Sequence, residues 1–219
     1  MTIESCFEEL ITLIEQETKA FGLPAGASEQ QIAETEQSIG LVFPDQLKAL
    51  LKMHDGEFAF GSKEYKGLFC DYPFFNLRRI QDEYALVRYM HEFWSSSGAG
   101  GEDPYEYRAL PVDSIRNAVV DLAWIPIGGD SGNCIGIDLN PGPTGIRGQI
   151  INFGQDDYAH FQIAPDLFSF VQLVRDQYAK RRWHSAFGDD SWTSLYDALK
   201  QERGDPFSEG SGLPKSKSP

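Results

Sequence analysis

The sequence is poor in cysteine: its 219 residues include three, Cys6, Cys70 and Cys134. Their odd number and wide spacing exclude a disulfide framework and also a zinc site, whose ligands come in closely spaced pairs. Free thiols are typical of a reducing compartment. The sequence also lacks the ~20 consecutive apolar residues of a membrane-spanning helix, and its acidic N-terminus lacks the basic and apolar regions of a signal peptide. We therefore expect a cytoplasmic protein.

Basic residues are scarce as well. There are 19 Lys and Arg against 33 Asp and Glu, which gives a formal net charge of −14. Such a chain repels phosphate groups, so direct binding to nucleic acid or to an anionic membrane is disfavoured. An acidic surface attracts basic proteins and speeds their encounter. The charge therefore indicates either a basic protein partner or high solubility alone.

A complete catalytic pattern is also missing. The stretch Gly129-Asp130-Ser131-Gly132 matches the nucleophile sequence of trypsin-like proteases, but that fold is nearly all β. A nucleophilic serine needs a base that a third group orients. Sequence context assigns that role to none of the four histidines, which are His54, His91, His160 and His184. We interpret the stretch as a tight turn between strands, and a small hydrolase stays as a third hypothesis.

Metal and cofactor patterns are incomplete too. The glycine-rich segments 128–129 and 142–145 lack the Lys-Ser/Thr pair of a phosphate-binding loop. Several side chains have oxygen atoms suited to a hard cation, but their spacing does not match a calcium loop. They are Asp130, Asn133, Asp138, Asp156 and Asp157. We expect neither a metal nor a cofactor.

What is present is a clear change of hydrophobic period along the chain. Apolar residues at helical spacing predict helices over 2–20, 28–40, 44–56, 76–94 and 166–178. Alternating or short apolar runs between turn residues predict strands over 57–60, 65–69, 119–127, 134–139, 149–153 and 159–163. These elements predict an α+β fold in which helices flank a mainly antiparallel sheet.

The chain divides into three predicted parts. Residues 1–20 form a detachable amphipathic helix, residues 21–182 form the α+β domain, and residues 183–219 form an extension. A short helix over 183–199 is an option, and the Gly-, Ser-, Pro- and Lys-rich tail after about residue 203 is expected to be disordered. The Ser- and Gly-rich segment 95–108 is expected to be a flexible loop.

Two stretches together resemble a known family. Residues 25–56 hold a capped helix, Gly40, an apolar-Pro step, a second helix and His54-Asp-Gly. The second stretch is Trp124-Ile-Pro-Ile-Gly-Gly-Asp-Ser-Gly-Asn-Cys-Ile-Gly-Ile-Asp-Leu139, followed by Gly148-Gln-Ile-Ile-Asn-Phe153. Both resemble the SUKH superfamily, in its Smi/Knr branch of cell-wall-assembly and glucan-synthesis regulators. The resemblance implies a single α+β domain without catalytic activity.

The resemblance also implies a role in protein binding. Its bacterial members are largely immunity proteins that neutralise toxins such as nucleases, and its fungal members act as scaffolds in cell-wall signalling. Because an acidic inhibitor suits a basic nuclease cleft, our leading hypothesis is a cytosolic immunity protein that binds a basic toxin domain. The alternative is a regulatory scaffold of the cell-wall-assembly type. We expect a monomer or a weak dimer.

The sheet face and the loops around the second stretch are the predicted partner-binding surface. The residues chosen are Trp124, Asp130, Asn133, Asp138, Gln149, Asp156 and Asp157. Two alternatives stay open for them: Trp124 belongs to the core, and Asp130 and Asn133 only close a turn.

Overall fold

Five helices and one five-stranded sheet make up the part of the chain that the structure describes. The computed structural model describes residues 1–17, 22–58, 67–69, 72–96, 108–130, 132–154 and 159–180. Within these, the helices are α1 (Ile3–Glu17), α2 (Glu29–Ile39), α3 (Asp45–Met53), α4 (Leu77–Ser96) and α5 (Leu167–Ala179). The strands are β1 (Arg108–Leu110), β2 (Trp124–Asp130), β3 (Asn133–Asp138), β4 (Gln149–Gly154) and β5 (Ala159–Ala164). The α+β class is confirmed.

The sheet has the strand order β1-β5-β4-β3-β2. Strands β2 to β5 form an antiparallel meander, because each pairs with the next one along the chain. β1 pairs with β5 in parallel, so the sheet as a whole is mixed. The sequence did not predict β1, since three residues are too few to show a period of two.

Three of the strand predictions need correction. The strand predicted over 119–127 begins only at Trp124, because Asp121 holds a turn in front of it: its carbonyl accepts from Trp124 N at 3.0 Å and its Oδ1 from Ala123 N at 2.8 Å. Of the strands predicted over 57–60 and 65–69, the described part contains one isolated bridge, between Phe69 and Tyr72. Residues 59–66 lie outside the described part.

The first helix is part of the core. Phe7 and Leu10 are fully buried, and α1 packs against α5 and α3. The ring of Phe7 meets that of Phe74 edge to face at 5.9 Å. This packing contradicts the expectation of a detachable helix, because its apolar side chains share one interior with the sheet. The predicted extension 183–219 lies outside the described residues.

The start of α2 confirms the capping prediction. Ser28 Oγ accepts a hydrogen bond from Gln31 N at 3.2 Å, and Gln31 Oε1 accepts one from Ser28 N at 2.9 Å. Gly40 ends the helix with a φ of 78°, a left-handed conformation that costs glycine little. α3 begins at Asp45, so Pro44 lies one position before the helix instead of at its first residue.

The sheet is covered on both faces. Every residue of β3 and β4 is buried except Asn133 and Asn152, which are half-buried. A strand that alternates between core and solvent would show a period of two in its exposure. The predicted partner surface therefore does not include an open face of β3 or β4, and the loops at the two ends of the sheet are the accessible parts.

Candidate functional site

The His-Asp-Gly corner of the first stretch joins α3 to α4. His54 Nδ1 lies 2.8 Å from the carbonyl oxygen of Pro24. Asp55 Oδ1 accepts a hydrogen bond at 2.8 Å from the backbone N–H of Leu77, the first residue of α4. Asp55 thus satisfies a backbone donor at the start of α4, and His54 contacts the segment that precedes α2. Both side chains of the corner have structural positions.

Glu57, directly after the corner, is a buried carboxylate. It accepts backbone N–H groups from Gly67 at 3.1 Å, Leu68 at 2.7 Å and Phe74 at 2.8 Å. Backbone donors compensate a buried carboxylate for its lost hydration. Glu57 thus holds the backbone at residues 67–68 and 74, and this role could not be predicted because its partners are 10 to 17 residues away.

The second stretch is organised around the buried carboxylate of Asp138. Its Oδ1 accepts from the indole nitrogen of Trp124 at 3.0 Å and from Asn140 N at 2.8 Å. Its Oδ2 accepts from Gln149 Nε2 at 2.8 Å. Burial raises the pKa of the Asp138 carboxyl above its ordinary value, and the three donors oppose that shift.

Gln149 extends this network to two loops and to β5. Its Nε2 also donates to the carbonyl of Ser114 at 2.8 Å, while its Oε1 accepts from Ile146 N at 3.1 Å and from Gln162 Nε2 at 2.9 Å. One amide group therefore ties the segment before β2, the loop between β3 and β4, and strand β5 together. We call Trp124, Asp138 and Gln149 the buried network.

His160 lies beside this network. Its ring meets that of Trp124 edge to face at 5.5 Å, and its Nε2 lies 2.8 Å from the carbonyl oxygen of Ala118. Burial lowers the pKa of His160 to about 4, because the charged form would lose its hydration. The imidazole is therefore neutral near pH 7 and has a structural position.

The three members of the buried network are each 0% exposed. This corrects their placement on a partner surface, since a side chain without access to solvent cannot contact a partner in this conformation. It agrees with the alternative that Trp124 belongs to the core. The interior position has a physical reason. A buried carboxylate loses its hydration, so Asp138 needs all three of its hydrogen-bond donors around it in the core.

One of the other predicted contact residues lies at the opposite end of the sheet. Asn133, at the start of β3, pairs with Gly154, at the end of β4. The start of β3 and the end of β4 therefore lie side by side at this end of the sheet. Asn133 is half-buried. Asp156 and Asp157, the side chain of Asp130, and Ser131 of the protease-like stretch lie outside the described part of the structure.

Above the buried network, two loops form an exposed surface that we call the loop face (residues 111–114 and 140–148). They are joined by three hydrogen bonds: Thr144 Oγ1 to the carbonyl of Val112 at 2.7 Å, Thr144 N to that of Asp113 at 3.1 Å, and Gly142 N to that of Ser114 at 3.1 Å. Val112 is 72% exposed and Ile146, on the other loop, is 51% exposed.

Glycine allows these loops to approach each other. A Cβ atom at Gly145 would lie 1.9 Å from the carbonyl oxygen of Ser114, and one at Gly142 would lie 2.2 Å from that of Asp113. Real side chains do not tolerate such distances, so both positions need glycine. The Gly-Pro-Thr-Gly segment that lacks a phosphate-binding pattern is thus explained by the packing of two backbones.

Arginines border the loop face. Arg116 Nε donates to the carbonyl of Asn140 at 3.1 Å, and Arg147 Nη1 donates to that of Leu139. Both arginines are exposed. Exposed apolar side chains beside arginine are typical of protein-binding surfaces, and the hydrogen-bonded loops hold this one in a defined shape.

A second exposed apolar surface lies on α4 and was missed from the sequence. Leu86, Tyr89 and Phe93 are 45%, 65% and 52% exposed. The inward residues Ile80, Tyr84 and Val87 of the same helix were predicted and are buried. The spacing of three and four residues between Leu86, Tyr89 and Phe93 was the available signal, because it gives one helix two apolar faces.

Other chemistry finds little support in the described residues. They contain no group of three His, Cys, Asp or Glu side chains able to hold a metal ion. No helix among them is long and apolar enough to cross a membrane. His54 and His160 both face backbone carbonyls, so neither is placed as a base for a serine.

The model of the SMI1 / KNR4 family (SUKH-1) matches residues 26–173. The chain belongs to this family. The match begins before α2 and ends within α5, so it includes the His54-Asp-Gly corner, the buried network and the loop face. The resemblance seen in the two sequence stretches is confirmed, and those residues now have structural roles within the SMI1/KNR4 domain.

Three curated fungal proteins are similar to this SMI1/KNR4 chain. It is 24% identical to the cell wall biosynthesis/cell cycle regulator smi1 of Schizosaccharomyces pombe over 81% of its own length and 36% of that protein. It is 26% identical to the cell wall assembly regulator SMI1 of Saccharomyces cerevisiae, with 76% and 38% covered. It is 24% identical to the glucan synthesis regulatory protein of Neurospora crassa, with 74% and 35% covered.

The chain thus spans little more than a third of the length of these relatives. Their names describe regulators and not enzymes. None of the three names refers to a toxin or to immunity.

Proposed function

We propose that this chain is a non-catalytic regulatory domain that acts by binding other proteins, of the kind found in regulators of cell-wall assembly. The names of the fungal relatives support this alternative over the immunity protein of our leading hypothesis, for which they give no support. The proposal concerns only the domain that this chain shares with its relatives, because the relatives are much longer than this chain.

The loop face is the observation that carries the proposal. Val112 and Ile146 are apolar and largely exposed, and they lie on two loops that three hydrogen bonds join. The buried network holds both loops through Gln149. A surface fixed in advance loses little conformational entropy on binding, so we place the protein contact there.

The remaining predicted contact residues stay a proposal in a supporting role. They are Asp130, Asn133, Asp156 and Asp157. For a basic partner, reversing the three aspartates should slow association at low salt and have less effect at high salt, because salt screens exposed charges.

We also propose a cytoplasmic location. Cys6 and Cys134 are buried cysteines outside any disulfide, which suits a reducing compartment.

A domain replacement tests the proposed function. In a Saccharomyces cerevisiae strain that lacks its cell wall assembly regulator, a chimera carrying this chain in place of the matching region should restore growth on a wall-binding dye. The same chimera with Val112→Asp and Ile146→Asp should reach equal protein levels and fail to restore growth. A folded, expressed wild-type chimera that restores nothing contradicts the proposal.

A further inference from the structure

We propose that the C-terminal half of α4 binds a basic side chain of a partner protein, an arginine held by aromatic rings and a carboxylate. This site is distinct from the loop face and goes beyond the function proposed above. The site consists of the end of the helix, the exposed rings of Tyr89 and Phe93, and the carboxylate of Glu92.

The aromatic part consists of two rings one helical turn apart. The centroids of Tyr89 and Phe93 are 6.4 Å apart and the ring planes are inclined by 26°. The two side chains are 65% and 52% exposed. Exposed aromatic faces attract cations through the negative charge density above the ring, and arginine can also stack on them.

The rings border an open cleft of about 630 Å³. The described residues that line it are Tyr89, His91, Glu92, Phe93, Ser95 and Ser96. This volume is large enough for a long side chain and its neighbours.

The charges at this site favour a cation. Glu92 is exposed, and no ion pair joins it to another described residue. The last turn of α4 carries no Lys or Arg, so no basic side chain there offsets the negative end of the helix dipole. The net charge of −14 also favours approach of a basic partner.

Arg88, the basic residue next to Tyr89 in the sequence, contacts another part of the chain. Arg88 donates to the carbonyls of Ser38 at 3.2 Å and Ile39 at 2.8 Å. Its guanidinium group lies over the ring of Tyr84, 5.1 Å from the centroid. Arg88 therefore links α4 to α2, and we assign the arginine at the proposed site to a partner.

A peptide titration tests the site. The probe is a fluorescein-labelled Gly-Ser-Leu-Arg-Leu-Arg-Leu-Ser-Gly peptide, and its control has the neutral arginine isostere citrulline at both arginine positions. Fluorescence anisotropy with the full chain should show binding of the arginine peptide and at least tenfold weaker binding of the control. Tyr89→Leu and Phe93→Leu keep an apolar surface, and each should weaken arginine-peptide binding about five- to tenfold. Glu92→Gln should weaken it and reduce its salt dependence.

A Val112→Asp, Ile146→Asp variant separates this site from the loop face, because it should bind the peptide as the wild type does. Equal binding of the arginine and citrulline peptides overturns the proposal, and so do leucine variants that bind like the wild type. Self-association that Phe93→Leu abolishes, without any peptide binding, assigns the surface to a second copy of the chain and also overturns it.

Discussion

The indole nitrogen of Trp124 donates to Oδ1 of Asp138 at 3.0 Å, and neither residue is exposed to solvent. This bond spans the paired ends of β2 and β3, where the two residues are opposite each other in the register. It belongs to the network that supports the loop face. The sequence motif thus contributes to binding indirectly, through the shape of the loops above it.

Replacing Trp124 should destabilise the fold. Trp124→Ala should lower the free energy of unfolding by about 3–5 kcal/mol, because it leaves a large cavity. The ring centroids of Trp124 and Phe153 are 5.3 Å apart. Trp124→Phe keeps an aromatic ring at this position but removes one hydrogen-bond donor to Asp138, so it should cost about 1–3 kcal/mol. Urea denaturation measures both values. A Trp124→Ala variant as stable as the wild type would place the ring outside the core.

Stability should depend on pH through His160. Its pKa in the folded chain is about 4, against an ordinary value of 6.5. Between these values the unfolded chain binds more protons than the folded one, so stability should fall as the pH drops from 6.5 to 4, by on the order of 3 kcal/mol. The raised pKa of Asp138 has the opposite effect on stability. Folding favours the protonated form of this carboxyl, so its contribution to stability is lost as the pH rises above the ordinary pKa of 3.8.

His160→Gln isolates this effect. The glutamine does not titrate, so stability measured by denaturation at several pH values should change less between pH 6.5 and 4 than in the wild type. An unchanged slope in the variant would show that His160 is not the group responsible.

The first helix should be required for stability. Phe7→Ala should cost about 3–5 kcal/mol, since Phe7 is fully buried against Phe74. The control Glu8→Lys, Glu15→Lys on the exposed side of α1 should stay within about 0.5 kcal/mol of the wild type. If Phe7→Ala and the control melt alike, the helix is detachable after all.

The contact between the two loops should depend on Gly145. Gly145→Ala places a methyl group against the carbonyl of Ser114, which should separate the loops and accelerate amide hydrogen exchange at Gly142 and Thr144. Gly148→Ala is the control, because a Cβ there meets nothing within 4 Å, although its φ of 93° adds backbone strain. Equal protection in both variants would mean that the loops are not held by this approach.

The elements that could be predicted from the sequence are those with local signals. The capping box of Ser28 and Gln31 and the left-handed Gly40 depend on neighbours in the chain, and both predictions are confirmed. The meander from β2 to β5 follows from short turns between apolar runs. The family resemblance came from the order and spacing of such local features.

The rest depends on contacts between distant residues. Gln149 meets Ser114 35 positions away, and Thr144 meets Val112 32 positions away. The hydrophobic period of a sequence does not show which distant residues meet. Asp138 and Gln149 could therefore be chosen as candidate residues from the sequence, but their burial could not be predicted. The loop face was missed for the same reason, because its two halves are separated by β2 and β3.

Site-specific photocrosslinking tests the central claim most directly. In cells that naturally contain the chain, photoreactive benzoylphenylalanine would replace Val112, Ile146 or, as a control on α1, Glu8. We predict that positions 112 and 146 crosslink to the same protein while position 8 does not, because Val112 and Ile146 lie on one hydrogen-bonded surface. Crosslinks from position 8 alone, or none from either loop position, would contradict a partner contact at the loop face.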